Sequence, residues 1–289
     1  MTNFNLKIIG LLTMLLDHIW LFFPNSPYLF HILGRISAPI FIYCCVMGYT
    51  KTSSKKNYMM RLYLFSIFMC IFNIFLFDNL NKFYFNFPLT LFVITMCCLT
   101  IEVFKNEKLE QKCWVGLFWG IQVVFLVLIV SESIIFTNEV LAVLVFAMLG
   151  APIALEGGVF FVFLGVIIYL FKDSKVKLAS AICLMTALYM VVYNTTLVYE
   201  SASRITRYLP KSSRHLVDER LNALSNLFLG EIPAFLYGHF IYENPQWLMI
   251  LAGPIFISDN GEKGKNSKWL FYIFYPAHLF VLSIWSRFF

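Results

Sequence analysis

Apolar runs without a single charged residue recur along the chain, at residues 36–50, 62–77, 83–101, 113–131, 140–155, 157–171, 178–199, 244–258 and 269–285. A further apolar stretch at 8–16 precedes the pair Asp17-His18. A bilayer core about 30 Å thick takes roughly 20 mainly apolar residues as a helix. Barrel strands would show about 10-residue segments of alternating polarity, and that alternation is missing. The pattern therefore predicts an all-α, polytopic transmembrane helix bundle of about 9–10 hydrophobic segments. The shorter runs must be extended by polar flanks or form broken and re-entrant pieces, since irregular backbone at membrane depth survives only where protein or water satisfies it.

Composition agrees. Of 289 residues 60% are hydrophobic and 13% charged, with 32 Phe, against roughly a quarter charged in a soluble domain. This excludes a soluble enzyme, a disordered chain and a disulfide scaffold, and residues 1–289 read as a single integral-membrane domain. The seven Cys show no CxxC spacing, so they read as small buried hydrophobes and not as a metal site or disulfide framework. The net charge of +6 suits lipid headgroups and an anionic co-substrate; no aromatic-basic motif points to nucleic acid. The N-terminal stretch has one cation, Lys7, and no small-residue cleavage site, so it reads as a retained helix.

Cations near helix ends set orientation. Residues 51–61 carry Lys51, Lys55, Lys56 and Arg61 and no acid, which places them, and with them the N-terminus, in the cytoplasm. The 105–112 loop then falls inside and 131–139, with Glu132 and Glu139, outside. Beyond that the rule favours a re-entrant 140–155, because Gly150, Pro152, Gly157 and Gly158 interrupt the helix. Residues 200–244 read as a polar insertion with a broken helix, carrying His215, Glu231 and His239. No internal repeat supports a transporter of inverted halves.

Ionisable groups within spans are costly and are functional candidates. Asp17 and His18 lie about 100° apart around their helix, so one can face a cavity while the other pairs with a neighbour. Arg35 follows Gly34 and precedes Pro39, whose missing N–H strands the Arg35 carbonyl; the guanidinium can take a phosphate, a carboxylate or Asp17. Tyr275 and His278, three apart, share a face of the last helix beside Pro276. Glu156, next to two glycines, is placed to line a re-entrant cavity, and His31 reads as structural. HExxH, P-loop, GxSxG and GxGxxG motifs are all missing.

These segments resemble the TraX family, named for the conjugative F-pilin acetylase. The resemblance rests on Met14…Asp17-His18, on Gly34-Arg35…Pro39-Ile-Phe41, and on Gly48-Tyr-Thr50…Lys56-Asn-Tyr58-Met-Met-Arg61-Leu62. At the other end it rests on Asn260-Gly261…Lys268-Trp-Leu-Phe271-Tyr-Ile-Phe-Tyr275-Pro276-Ala-His278-Leu279. Two features depart from the pattern: Asp259 stands where members tend to have Tyr, and residues 200–244 have no counterpart. The resemblance implies an acetyltransferase of a bacterial cytoplasmic membrane, with acetyl-CoA as co-substrate and the N-terminal amine of a membrane-inserted pilin as acceptor. It also implies a distant likeness to membrane acyltransferases that acetylate exported glycans.

The residues suit that chemistry. Attack on a thioester needs a base, and imidazole titrates near neutrality. His18 is the expected base with Asp17 supporting it, and Tyr275 and His278 complete the cavity. Arg35, Arg61, Lys51, Lys55, Lys56, Asn260 and Lys268 are the expected acetyl-CoA contacts. Because His18 and Arg35 fall in the outer half, the pantetheine arm must reach them through a tunnel from the basic side. The competing readings are an O-acetyltransferase of an exported glycan, a transporter using the same charges for an ion or substrate, and a non-catalytic chaperone for a peptide.

Overall fold

The apolar runs fold as helices in the computed structural model of the chain, which describes residues 1–77, 85–105, 109–130, 138–152, 155–193, 204, 245–265 and 268–288. In order these are α1 (Asn3–Phe22), α2 (Tyr28–Gly34), α3 (Ser37–Lys51), α4 (Lys55–Leu76), α5 (Phe87–Lys105), α6 (Leu109–Val130), α7 (Glu139–Leu149), α8 (Gly158–Phe171) and α9 (Lys175–Tyr193). A 3₁₀ helix (Pro245–Leu251) then runs into α10 (Ala252–Ile257), and α11 (Lys268–Ser286) follows. The described residues contain helices and connecting segments only, so the all-α bundle stands. Among the described residues six helices are long and apolar enough to cross a membrane, counting Tyr28–Lys51 as one. The protein is an integral membrane protein.

Local chemistry sets the helix ends. Thr2 and Ser54 accept from the N–H of Asn5 and Asn57, each at 3.4 Å, at the starts of α1 and α4. Asn138 caps α7 through Val140 N at 2.9 Å, since a short polar side chain satisfies an orphan amide there. The break between α2 and α3 falls at Arg35 and Ile36, whose amides turn back by three residues to the Ile32 and Leu33 carbonyls at 3.3 Å. Pro39 sits in the first turn of α3, where it costs little and where it withholds the amide that would have bonded Arg35. Gly150 and Gly157 hold φ of 61° and 77°, a left-handed conformation that L side chains resist, so α7 and α8 end and begin there. At 11 and 14 residues these two rise about 16 and 21 Å, too short to span alone. The run 244–258 is likewise not one span but two short helices.

Lipid tails are as apolar as leucine, so helices associate through close packing and hydrogen bonds. α1 and α2 approach closely: a Cβ at Gly34 would collide with Asp17 Cβ. Asn73 on α4 bonds the Phe85 backbone in both directions, at 2.8 and 3.1 Å, and so fixes the segment that enters α5. On α6, Trp114, Leu117, Val123 and Val124 are exposed, as a lipid-facing helix requires. Among the cysteines 44, 45, 70 and 98 are buried, but Cys113 and Cys183 are exposed, which corrects the expectation that all seven are buried. The insertion expected at 200–244, with Glu200, His215, Glu231 and His239, lies outside the described residues apart from Arg204.

Candidate active site

Two cavities meet inside the bundle. The first, about 270 Å³, lies at the α1 N-terminus and is walled by the start of α4 and the start of α11. Its cations are Lys7, Arg61, Lys263 and Lys265. The second, about 210 Å³, lies toward the other end of α1 and holds Asp17, His18, Arg35, Glu156 and Gln246. Met14, Phe41, Phe87 and Tyr275 line both. Lys7 and His18, eleven residues apart on α1, are separated by a rise of about 16 Å.

The chain builds the basic mouth from distant segments. The Met1 ammonium bonds the Ser258 carbonyl, Asn3 N donates to Glu262 O at 2.8 Å and Asn260 N to Met1 O at 2.9 Å. These bonds press the turn carrying Lys263 and Lys265 onto the start of α1. Asp259 is buried and accepts from the Tyr43 hydroxyl at 2.8 Å and from Gly261 N at 3.1 Å. Asp259 therefore holds the turn. Lys7 lies 5.0 Å from the Phe271 ring centre, and Arg61 Nε is buried with no partner among the described residues. A basic funnel with an unsatisfied guanidinium nitrogen fits an anionic ligand.

His18 lines the second cavity and Tyr275 lines both, but His278, expected to complete the cavity, lines neither and meets His18 from behind its wall. His18 Nδ1 lies 2.6 Å from His278 Nε2, and the rings are within 3° of parallel. The far nitrogen of His278, Nδ1, is 2.7 Å from the Phe274 carbonyl. A carbonyl only accepts, so in a neutral pair His278 carries its proton on Nδ1 and its Nε2 accepts. His18 then carries its proton on Nδ1, and its Nε2 keeps a lone pair; the tautomers are assigned from this hydrogen-bond chain. Phe85 packs edge-on to His18, with ring centres 5.1 Å apart. Tyr275 sits 5.8 Å from His278, ring to ring, and its hydroxyl donates to Glu156 Oε2 at 3.0 Å.

Asp17, expected to support His18, makes no hydrogen bond to it, and its charge reaches the imidazole only through space. One carboxylate oxygen takes the Arg35 guanidinium and the other lies 3.0 Å from His31 Nδ1, while Arg35 also reaches Gln246 Oε1 at 3.2 Å. The 100° step between neighbours on a helix turns Asp17 toward α2 and leaves His18 for α11. His31, read as structural, anchors this latch and stacks on Trp20 with ring centres 3.9 Å apart.

The expected acetyl-CoA contacts divide. Arg61 lines the first cavity and Arg35 the second. Lys55 is instead drawn to Glu102 at 2.7 Å, which Tyr49 and Tyr169 also bond. Lys51 donates to the Gly261 carbonyl at 2.7 Å, Asn260 bonds Glu262 at 2.8 Å, and Lys56 is exposed away from either cavity. Lys268 opens α11, but its side chain is outside the described set. The first cavity is lined instead by Lys7, Lys263 and Lys265 beside Arg61, and the sequence pattern marked none of these three lysines as a binding residue. The Lys-Gly-Lys of 263–265, in a turn just before a helix that carries a candidate site, was the available signal.

A family model described as TraX protein matches residues 3–286 of the chain. The chain belongs to the TraX family. The match runs from the start of α1 to the end of α11, so every residue that lines the two cavities falls within it. No curated protein and no solved structure matches it.

Proposed function

We propose that this TraX chain is a membrane acetyltransferase that moves an acetyl group from cytoplasmic acetyl-CoA to a nucleophile of a membrane-inserted or exported acceptor, with a peptide N-terminus favoured. The observation that carries the reading is the pair of abutting cavities, one with a basic mouth and the other with an imidazole lone pair. Phosphates of CoA bind at Lys7, Arg61, Lys263 and Lys265. The pantetheine arm, comparable to about five extended residues or roughly 17 Å, matches the rise from Lys7 to His18. It passes the wall formed by Met14, Phe41, Phe87 and Tyr275 and presents the thioester to the second cavity.

There His18 Nε2 takes a proton from the acceptor nucleophile as that atom attacks the thioester carbonyl. The bond from acceptor to acetyl carbon forms, the carbon–sulfur bond breaks, and the proton passes from His18 to the departing thiolate. His278 keeps His18 in the productive tautomer. Arg35, bound to Asp17 and Gln246, fixes the α1–α2 wall and holds positive charge beside the developing oxyanion. By the distribution of cations, the Lys7 mouth faces the cytoplasm and the His18 cavity lies in the outer half of the bilayer.

The test is calorimetric titration of acetyl-CoA into detergent-purified protein, with CoA release followed in parallel. Wild type should bind saturably and release CoA when an acceptor amine is supplied. His18→Ala should bind but not release, and a doubly substituted Lys263→Glu, Lys265→Glu protein should lose binding. No binding at millimolar acetyl-CoA refutes the donor assignment, and CoA-independent substrate uptake into proteoliposomes would put a transporter in its place.

A further inference from the structure

The second cavity holds a carboxylate that the reaction above does not use. Glu156 precedes α8 in the turn opened by Gly157 and lines the cavity together with His18. Its side chain is held by the Tyr275 hydroxyl at 3.0 Å and by the backbone N–H groups of Asn86 and Phe87. Its own carbonyl accepts from Thr90 Oγ1 at 3.0 Å. All of these donors are neutral. The ion pairs among the described residues join Asp17 to His31 and Arg35 and Lys55 to Glu102, and none involves Glu156.

The contrast with Asp17 is informative. Both carboxylates face the same cavity, but Asp17 has its two oxygens taken by an arginine and a histidine. Glu156 is oriented by three neutral donors that fix its direction and leave its charge uncompensated. A carboxylate in a poorly hydrated membrane site either takes up a proton or pairs with a cation, and three donors aimed at its oxygens favour the ionised form, which leaves a place for the cation. Metal ions are a poor fit, because the described residues offer no group of three His, Cys, Asp or Glu there. A primary ammonium is small, carries three donors and fits a cavity of about 210 Å³ with the first residue of a peptide behind it.

Resting on the acetyltransferase reading, we propose that Glu156 is the specificity-determining residue that captures the acceptor as an ammonium, with Tyr275 holding the carboxylate in position. Bound there, the acceptor nitrogen shares the cavity with His18. An ammonium must shed one proton before it can attack, and the Glu156 carboxylate receives it. The neutral amine then attacks, and His18 takes the second proton and delivers it to the thiolate. The first proton leaves to water as the uncharged amide departs. Acetyl-CoA and an ammonium thus yield amide, CoA thiol and one released proton. A hydroxyl acceptor offers the carboxylate one neutral hydrogen bond where an ammonium offers a charge-assisted one, so this residue separates amine from sugar substrates.

The experiment measures binding of the acceptor alone. A leucine–alanine peptide of about twenty residues, long enough to span a bilayer, is titrated into the purified full chain in detergent. Its analogue, with the N-terminal amine replaced by a hydroxyl, is titrated beside it. Wild type should prefer the ammonium peptide roughly ten- to hundredfold, the range for one charge-assisted hydrogen bond. Glu156→Gln should erase the preference and Glu156→Asp should restore part of it, at unchanged thermal unfolding midpoints. Equal wild-type affinity for the two peptides overturns the proposal without any variant, and so does a preference that survives Glu156→Gln. Because no acetyl-CoA is present, the outcome is independent of the donor test: a preference for ammonium without acetyl-CoA binding would sink the transferase and leave the amine site standing.

Discussion

Replacing Asp17 by Asn separates the two roles that the neighbouring Asp17-His18 pair invites. The substitution keeps volume and shape but removes the charge that meets Arg35 and His31. The two partners of the ion pair are 16% and 17% exposed, so little water is at hand to take over. Breaking a buried pair from one side costs about 3–5 kcal/mol. Arg35 also donates to Gln246 and keeps that partner, which moves the expected loss below that range, to about 2–3 kcal/mol. For a chain somewhat above 250 residues, 1 kcal/mol lowers the melting midpoint by about 2 °C, giving a drop of about 4–6 °C. Tryptophan fluorescence during heating in detergent reads this. His18→Ala, which removes no ion pair, should melt closer to wild type while losing turnover. The reasoning is refuted if Asp17→Asn melts with wild type yet loses turnover, because the carboxylate would then be acting on His18 and not on Arg35.

Four other perturbations probe separate parts of the account. Gly34→Ala forces a methyl into Asp17 and should cost at least the ~1–3 kcal/mol typical of overpacking, visible as an early melt, with Gly34→Ser no better. His278→Phe leaves the His18 Nδ1 proton without its acceptor, so kcat should fall by roughly ten- to thousandfold while acetyl-CoA affinity holds; ¹⁵N shifts of His18 should show mixed tautomers, and an unchanged kcat would remove His278 from the mechanism. Cys44 and Cys45 line the first cavity, so small thiol reagents should label them slowly and acetyl-CoA should protect them, whereas labelling of exposed Cys113 should be indifferent to it. Arg61→Gln should weaken acetyl-CoA binding and flatten its salt dependence, as loss of one phosphate contact demands.

The bundle was readable because membrane helices announce themselves: twenty apolar residues have few alternatives in lipid. His18, Tyr275 and His278 were readable for the same reason, as polar groups out of place. The pairing of Asp17 was not, since two adjacent residues on a helix point to different neighbours and sequence alone does not say which neighbour lies where. The basic cluster at Lys51, Lys55 and Lys56 was misleading in a different way. Long side chains go to whatever acceptor folding brings near, and Glu102 and the Gly261 carbonyl sit 47 and 210 positions away along the chain. Lys7, Lys263 and Lys265 became neighbours only through backbone bonds between residues 1–3 and 258–262, which no periodicity encodes. Glu156 was legible as a cavity residue through its glycines, but its neutral donors come from Asn86, Phe87 and Tyr275 on other segments.

The central claim is that acetyl crosses from a basic cytoplasmic mouth to His18 in the outer half. Proteoliposomes sorted so that the Lys7 mouth faces outward test it directly, with radiolabelled acetyl-CoA outside and an amine-bearing peptide trapped within. The account predicts labelled peptide inside wild-type vesicles and none with His18→Ala, while CoA accumulates only outside. Label that reaches a peptide supplied outside but never one trapped within would contradict the through-bundle path.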